Sequence, residues 1–226
     1  MPGPKDPPPA EAPLVIAVDG PVAAGKGTLA RSLARQFGLR YLDTGSLYRA
    51  VAARVRDAGA DPSDPAAALA AARGLGDADQ HRGDLRDEAV GEAASIVAAQ
   101  PEVRAALLDY QRRFGATPPG AVLDGRDIGT VIFPDAPVKL FVTATVEARA
   151  RRRHDELAGR GAATDYAAVL ADLRARDARD SGRATAPLVP AADACLLETT
   201  ELSIEAALAA AIRIVVDRTG RRPHLG

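Results

Sequence analysis

The 226-residue chain has no asparagine and no tryptophan, one cysteine (Cys195), and only three lysines, Lys5, Lys26 and Lys139. A lone cysteine excludes an intramolecular disulfide and a cysteine-based zinc site. No apolar run approaches the ~20 residues that span a bilayer, so a membrane partner is not expected. No apolar signal-type segment follows the first basic residue, which makes the cytoplasm the expected compartment. Neither sign of charge is in excess: 29 Lys and Arg stand against 30 Asp and Glu, a formal net charge of −1. A dedicated nucleic-acid binder shows a basic surplus, so nucleic acid is not an expected partner either. Because nearly every basic residue is an arginine, a lysine inside a motif is informative.

Alanine is what the chain has in abundance. Hydrophobic residues make up 47% of it, and about half of these are alanines. The core must therefore rest on a few Val, Leu and Ile strands and on alanine-faced helices. The length fits one domain with insertions. Six prolines fall within residues 1–13, a composition that predicts a disordered tail. Order is expected from Leu14 onward. Short apolar runs at 14–19, 40–42, 121–123, 138–143 and 194–197 read as buried strands. Between them, helical spacing marks 28–37, 46–58, 65–73, 85–99, 102–114, 147–157, 166–179 and a closing helix through Ile204, Leu208, Ile212 and Val215. Residues 74–84 lack periodicity and read as a loop. Alternating strands and helices predict an α/β fold, a parallel sheet covered on both faces. Cys195, in a presumed core strand, reads as a small buried hydrophobe.

The strongest local signal is Gly20-Pro21-Val22-Ala23-Ala24-Gly25-Lys26-Gly27-Thr28, between the first strand and the first helix. Glycines let such a loop curl so that its N–H groups converge on one anion, and the helix adds its positive end. Lys26 supplies charge for nucleotide phosphates, and the Thr28 hydroxyl can reach Mg²⁺. Glycine, not serine or threonine, directly follows the lysine. That variant resembles nucleoside monophosphate kinases rather than GTPases. A GTPase also needs an Asn-Lys-x-Asp guanine reader, impossible in a chain without asparagine.

Three further stretches extend the pattern: Asp43-Thr44-Gly45-Ser46-Leu47-Tyr48-Arg49, Asp124-Gly125-Arg126-Asp127-Ile128-Gly129-Thr130, and 176–190. Together with the phosphate loop they closely resemble bacterial cytidylate (CMP/dCMP) kinases from about 14 to 216. Adenylate kinases share the first motif, but Arg126-Asp127 after Asp124-Gly125 favours the cytidylate branch. The resemblance implies a three-layer P-loop fold whose kinase domain spans 14–226, with an acceptor-binding insert at about 59–100 and a lid at about 147–183. It implies transfer of the γ-phosphoryl of ATP to CMP or dCMP with Mg²⁺, by alignment and charge neutralisation, in a monomer.

The resemblance also implies roles for individual residues. Lys26, Asp124, Arg126 and Arg176 would be catalytic, with Asp124 and Thr28 holding Mg²⁺ partly through water. Arg49, Arg126 and Thr44 would meet the acceptor phosphate, beside Tyr48. Ser95, Arg104 and Asp127 would read the base, and Arg176, Asp180 and Arg183 the ribose and acceptor phosphate. Alone, Asp124 has the lesser competing reading of a helix or turn cap, and each arginine by itself reads first as a solvated helix face. Their joint placement favours the site. Some of Arg149, Arg151, Arg152 and Arg153 would serve the lid. Many cytidylate kinases carry a longer insert, with a small antiparallel sheet, before the helix that holds Ser95; here that region is short. The alternatives are a UMP/CMP or adenylate kinase, or an ATP-binding regulatory module. The acceptor-side arginines and Asp127 speak against the latter.

Overall fold

The computed structural model describes residues 12–80 and 82–224. The expected tail lies outside the described residues up to position 11. Five strands form one all-parallel sheet: β1 (Leu14–Asp19), β2 (Arg40–Asp43), β3 (Gly120–Gly125), β4 (Val138–Thr143) and β5 (Cys195–Glu198). Their order is β2-β3-β1-β4-β5. The strands at the five expected positions thus all form, and β1 and β3 lie side by side in the middle.

All six residues of β1 are buried, as a strand covered on both faces requires. Leu14, Ile16 and Val18 point to one face, where α1 (Lys26–Gln36) and α9 (Ile204–Thr219) contribute Leu29, Leu33, Ala211 and Val215. Val15 and Ala17 point to the other, joining Ala121, Leu123 and Ile132, with Leu108 and Phe114 of α6 (Pro101–Ala116) against them. The result is the three-layer arrangement.

A second core surrounds α2 (Thr44–Asp57), whose Ala50, Ala52 and Ala53 are almost completely buried. These small side chains let α3 (Pro65–Arg73) and α5 (Glu88–Val97) approach closely. Here the alanine-rich composition finds its use. Helices α7 (Val146–Gly159) and α8 (Tyr166–Gly182) pack mainly on each other through Ala150, Leu157, Val169 and Leu173.

The structure departs from the sequence reading in four places. Residues 74–84, expected as loop, include the four-residue helix α4 (Asp77–Gln80) and the start of a 3₁₀ turn, Gly83–Arg86. Polar contacts rather than apolar periodicity hold the former: Asp79 accepts from the Gly76 N–H at 2.9 Å and from Arg54 at 3.1 Å. Leu85 belongs to the 3₁₀ turn, so the helix expected from 85 begins at Glu88. A π-helical turn, Ile128–Ile132, follows β3. Cys195 is half-buried rather than buried, because β5 is an edge strand. Among the described residues no helix is long and apolar enough to cross a membrane.

Candidate active site

The loops leaving the carboxyl ends of β1, β2 and β3 open into one cleft of about 390 Å³. Ligand sites in open α/β sheets form at this edge. Nine basic side chains line the cleft against six acidic ones, in a chain whose formal net charge is −1. That local excess suits an anionic ligand.

On one wall is the phosphate loop. Ala23 and Gly25 both adopt left-handed backbone angles (φ 60 and 89), which curl the loop back on itself. No side chain caps α1, and no acidic residue occupies its first turn, so its first N–H groups are available to an anion. Lys26 is buried, and its Nζ donates to the Pro21 carbonyl at 2.7 Å. Burial, then repulsion from Arg126, pulls its pKa down to about 8. Asp124, one strand away on β3, is pushed the opposite way by burial, with Lys26 opposing the rise. A side chain at Gly27 would put its Cβ 3.2 Å from Asp124 Oδ2. Glycine in that slot is what lets the helix begin beside the carboxylate, with Thr28 next in line.

The facing wall carries the other predicted side chains. All ten residues expected around the acceptor line this same cleft: Thr44, Tyr48, Arg49, Ser95, Arg104, Arg126, Asp127, Arg176, Asp180 and Arg183. The phosphate loop adds Val22, Ala23, Gly25, Lys26, Gly27 and Thr28 to the lining, whereas Gly20, Pro21 and Ala24 do not line it. Arg104 and Asp127 form a buried ion pair, with Arg104 also donating to the Ala98 carbonyl at 3.1 Å. The Arg104 guanidinium lies 5.6 Å from the Tyr48 ring centroid, a cation–π distance. Arg126 donates through Nε to Asp180 at 2.9 Å. Ser95 accepts from Arg179 at 3.2 Å. Thr44 donates its hydroxyl to the Asp124 carbonyl at 2.8 Å, so in this state that proton is already committed.

Several guanidinium nitrogens here are buried without a hydrogen-bond partner among the described residues: Nε of Arg49, Nη2 of Arg176, and Nε and Nη2 of Arg183. Buried donors of this kind cost free energy until something accepts from them.

Sequence reasoning missed the residues that hold these groups in place. Asp43 accepts from the Ser46 N–H at 3.2 Å, capping α2, and pairs with Arg49 at 2.6 Å. Tyr41 lies with its hydroxyl 3.5 Å from Asp124 Oδ2. Asp19, at the end of β1, accepts two backbone N–H groups from the turn after Asp127. Asp43 opens one of the motifs singled out in the sequence, but its tie to Arg49 was not read there; Tyr41 and Asp19 stand in no spacing that signals chemistry. Arg149, Arg151, Arg152 and Arg153, alike in the sequence, also separate here. Arg149 is buried and donates to Val22 O at 3.2 Å and to Asp177 at 2.6 Å, tying α7 and α8 to the phosphate loop. Arg152 is bound to Thr199. Of the four, Arg153 alone lines the cleft. It also lines a second cavity of about 340 Å³ on the far flank of the phosphate loop, with Leu29, Leu202, Ile204 and Leu208.

Known proteins resemble this chain over most of its length. The cytidylate kinase family model matches residues 16–217. The curated cytidylate kinase of Methylocella silvestris is 62% identical over 202 residues, covering 89% of this chain and 94% of its own. That of Xanthobacter autotrophicus is 60% identical over 209 residues, 92% of this chain and 100% of its own. That of Paramagnetospirillum magneticum is 59% identical over 204 residues, 89% and 97%.

The depressed Lys26 pKa makes a proton-linked prediction. Above about 8 the free site holds Lys26 largely neutral, and a bound polyphosphate favours the charged form. ATP binding at pH 8 should therefore take up protons, read calorimetrically as an apparent enthalpy that changes with the ionisation enthalpy of the buffer. Lys26→Arg, whose guanidinium does not titrate, should lose that dependence. A wild-type enthalpy independent of buffer at pH 8 would contradict the account.

Proposed function

The chain belongs to the cytidylate kinase family, and from that premise we propose how its own side chains move the γ-phosphoryl group of ATP onto CMP or dCMP, giving ADP and CDP or dCDP. The observation that carries the residue assignments is the set of unpartnered guanidinium donors facing the phosphate loop across one cleft. An enzyme that only held ATP would not need a second anion site.

The phosphate loop, Gly20 to Thr28, receives the donor's phosphates on its N–H groups and on Lys26. The cavity shared by Arg153, Leu202 and Ile204 adjoins the same loop and is apolar enough to take the donor's base. Arg49, Arg126, Arg176 and Arg183 converge on the acceptor phosphate, with Asp180 holding Arg126 in aim and Tyr48 backing Arg104. Guanidinium forks suit phosphate because they donate two parallel hydrogen bonds. Lys26 and Arg126 repel each other in the free site, and negative charge on the moving phosphoryl group relieves that repulsion. Transfer then needs no covalent intermediate: alignment and charge neutralisation suffice.

Oxygen donors are what Mg²⁺ accepts, usually one or two from protein with phosphates and waters completing the shell. The Asp124 carboxylate and the Thr28 hydroxyl, both lining the cleft beside Lys26, fit that demand. There the ion would neutralise phosphate charge. We place the lid at about 147–183 and the acceptor insert at about 59–100. Of the four arginines we assign Arg153 to the transferring group because it alone lines the cleft, where it pairs with Glu156 of its own helix at 3.0 Å, whereas Arg149 and Arg152 are bound away from it.

For base choice, the buried Arg104–Asp127 pair presents a donor and an acceptor side by side. Cytosine offers an amine next to a ring acceptor, which complements that pair; uracil reverses both. We assign Ser95, which lines the same cleft and accepts from Arg179, to the base as well.

Two outcomes follow. Lys26→Ala should lower kcat by about 10²-fold or more while melting near the wild-type temperature, since the lysine's burial is not a source of stability. An active Lys26→Ala enzyme would sink the assignment of the loop. CMP should be preferred over UMP by more than about tenfold in kcat/KM. Asp127→Asn, which offers an amide N–H to the uracil carbonyl, should shrink that ratio strongly. An unchanged ratio would mean that this carboxylate does not read the base.

A further inference from the structure

Asp19 takes no part in the roles assigned above. It is buried at the carboxyl end of β1, only 5% exposed. No cationic side chain pairs with it at ion-pair distance among the described residues. Instead its two oxygens accept two backbone N–H groups, Oδ1 from Ile128 at 2.8 Å and Oδ2 from Gly129 at 2.8 Å. These donors open the π-helical turn Ile128–Ile132, directly after Asp127. The Asp127 carbonyl in turn accepts from Val131 at 2.9 Å and Ile132 at 3.2 Å, so the backbone of Asp127 belongs to the element that Asp19 clamps.

The clamp is tight on its other side as well. A Cβ on Gly129 would stand 3.1 Å from Lys139 Cδ and 3.4 Å from Asp19 Oδ2. Lys139 does not serve as a partner to Asp19: its Nζ is turned to the Pro134 carbonyl and to Asp193. Burial pushes the Asp19 pKa up to about 6, against the two backbone N–H groups that lower it. Asp127 raises it further and Lys26 lowers it. Burying a carboxylate without a counter-charge costs stability, so the group is better explained by what it positions than by what it stabilises. Two acceptors are also what the geometry needs. An amide in the same place would turn one N–H₂ toward a backbone N–H, donor against donor.

We infer that Asp19 is a positioning residue for base selection: its carboxylate locks the turn after β3 so that Asp127 meets the acceptor's base at a fixed angle. The inference rests on the reading of Asp127 as the residue that recognises the base. It also joins the two halves of the site, since Asp19 immediately precedes the phosphate loop while its hydrogen bonds reach the acceptor side.

The test measures kcat/KM for CMP and UMP, KM for ATP, and amide hydrogen exchange at 128 and 129, in wild type, Asp19→Asn and Asp127→Asn. Asp19→Asn should cut the CMP-over-UMP ratio roughly tenfold, mainly through a higher KM for CMP. KM for ATP should stay within about twofold, and exchange at the two amides should quicken. If Asp127→Asn collapses the ratio and Asp19→Asn leaves it intact, the inference is overturned while the base-reading assignment stands. If Asp127→Asn leaves the ratio intact, the base-reading assignment itself fails. A higher KM for ATP with an unchanged ratio would assign Asp19 to the phosphate loop and also overturn the inference. Should Asp19→Asn not fold, Gly129→Ala presses on the same clamp from the turn side. It is read by the same ratio, with a fall expected and an unchanged value contradicting.

Discussion

Positive charge held in a cleft with too few partners is the constraint on which the rest of this structure depends. Arg49, Arg176 and Arg183 bury N–H groups that nothing among the described residues accepts. Each such donor costs about 1–3 kcal/mol when left unmet. Burial, and after it the charge of Arg126, makes Lys26 give up its proton more readily than an ordinary lysine. The carboxylates in the cleft do not cancel this excess; they aim it. Asp43 fixes Arg49, Asp180 fixes Arg126, and Asp127 fixes Arg104. A phosphate arriving between them meets donors already oriented, which is how a site can stabilise moving charge without reorganising.

The scaffold bears that cost through its packing. Side-by-side placement of β1 and β3 brings the phosphate loop, Asp124 and the Arg126-Asp127 turn to one edge. Alanine-lined α2 seats Tyr48 and Arg49 against the cleft. Arg149 fastens α7 and α8 to the Val22 carbonyl, so α8 presents Arg176 and Asp180 in step with the phosphate loop. Its neighbour Arg153 stays on the cleft wall. One helix therefore carries both an anchor and a reaching arginine.

Much of this was legible in the sequence because it is written in contiguous motifs. The loop from Gly20 to Thr28, the Thr44 to Arg49 helix start and the Asp124 to Asp127 strand end each carry several informative residues in a row. Strands could be read from short apolar runs, since a parallel sheet buries both faces. What stayed hidden depends on contacts across the chain. Asp19 reaches residues more than a hundred positions away, and nothing next to it marks that reach. Arg149, Arg151, Arg152 and Arg153 look alike in sequence and separate only by burial and partner. Residues 74–84 and the turn after Asp127 are held by polar and backbone contacts, which leave no hydrophobic period to read. Cys195 was misjudged because sequence does not say which strand ends the sheet.

The most direct test of the unsatisfied-charge account is a thermal melt of the chain with CMP and, separately, with cytidine at equal concentration. At a hundredfold excess over Kd a ligand stabilises by about 2.7 kcal/mol. CMP, which brings the anion that the arginines lack, should raise Tm by several degrees, and added salt should reduce the gain. Cytidine, with the same base and ribose, should leave Tm nearly unmoved. Equal stabilisation by the two would contradict the account, because the phosphate would then be contributing nothing that the cleft's spare donors need.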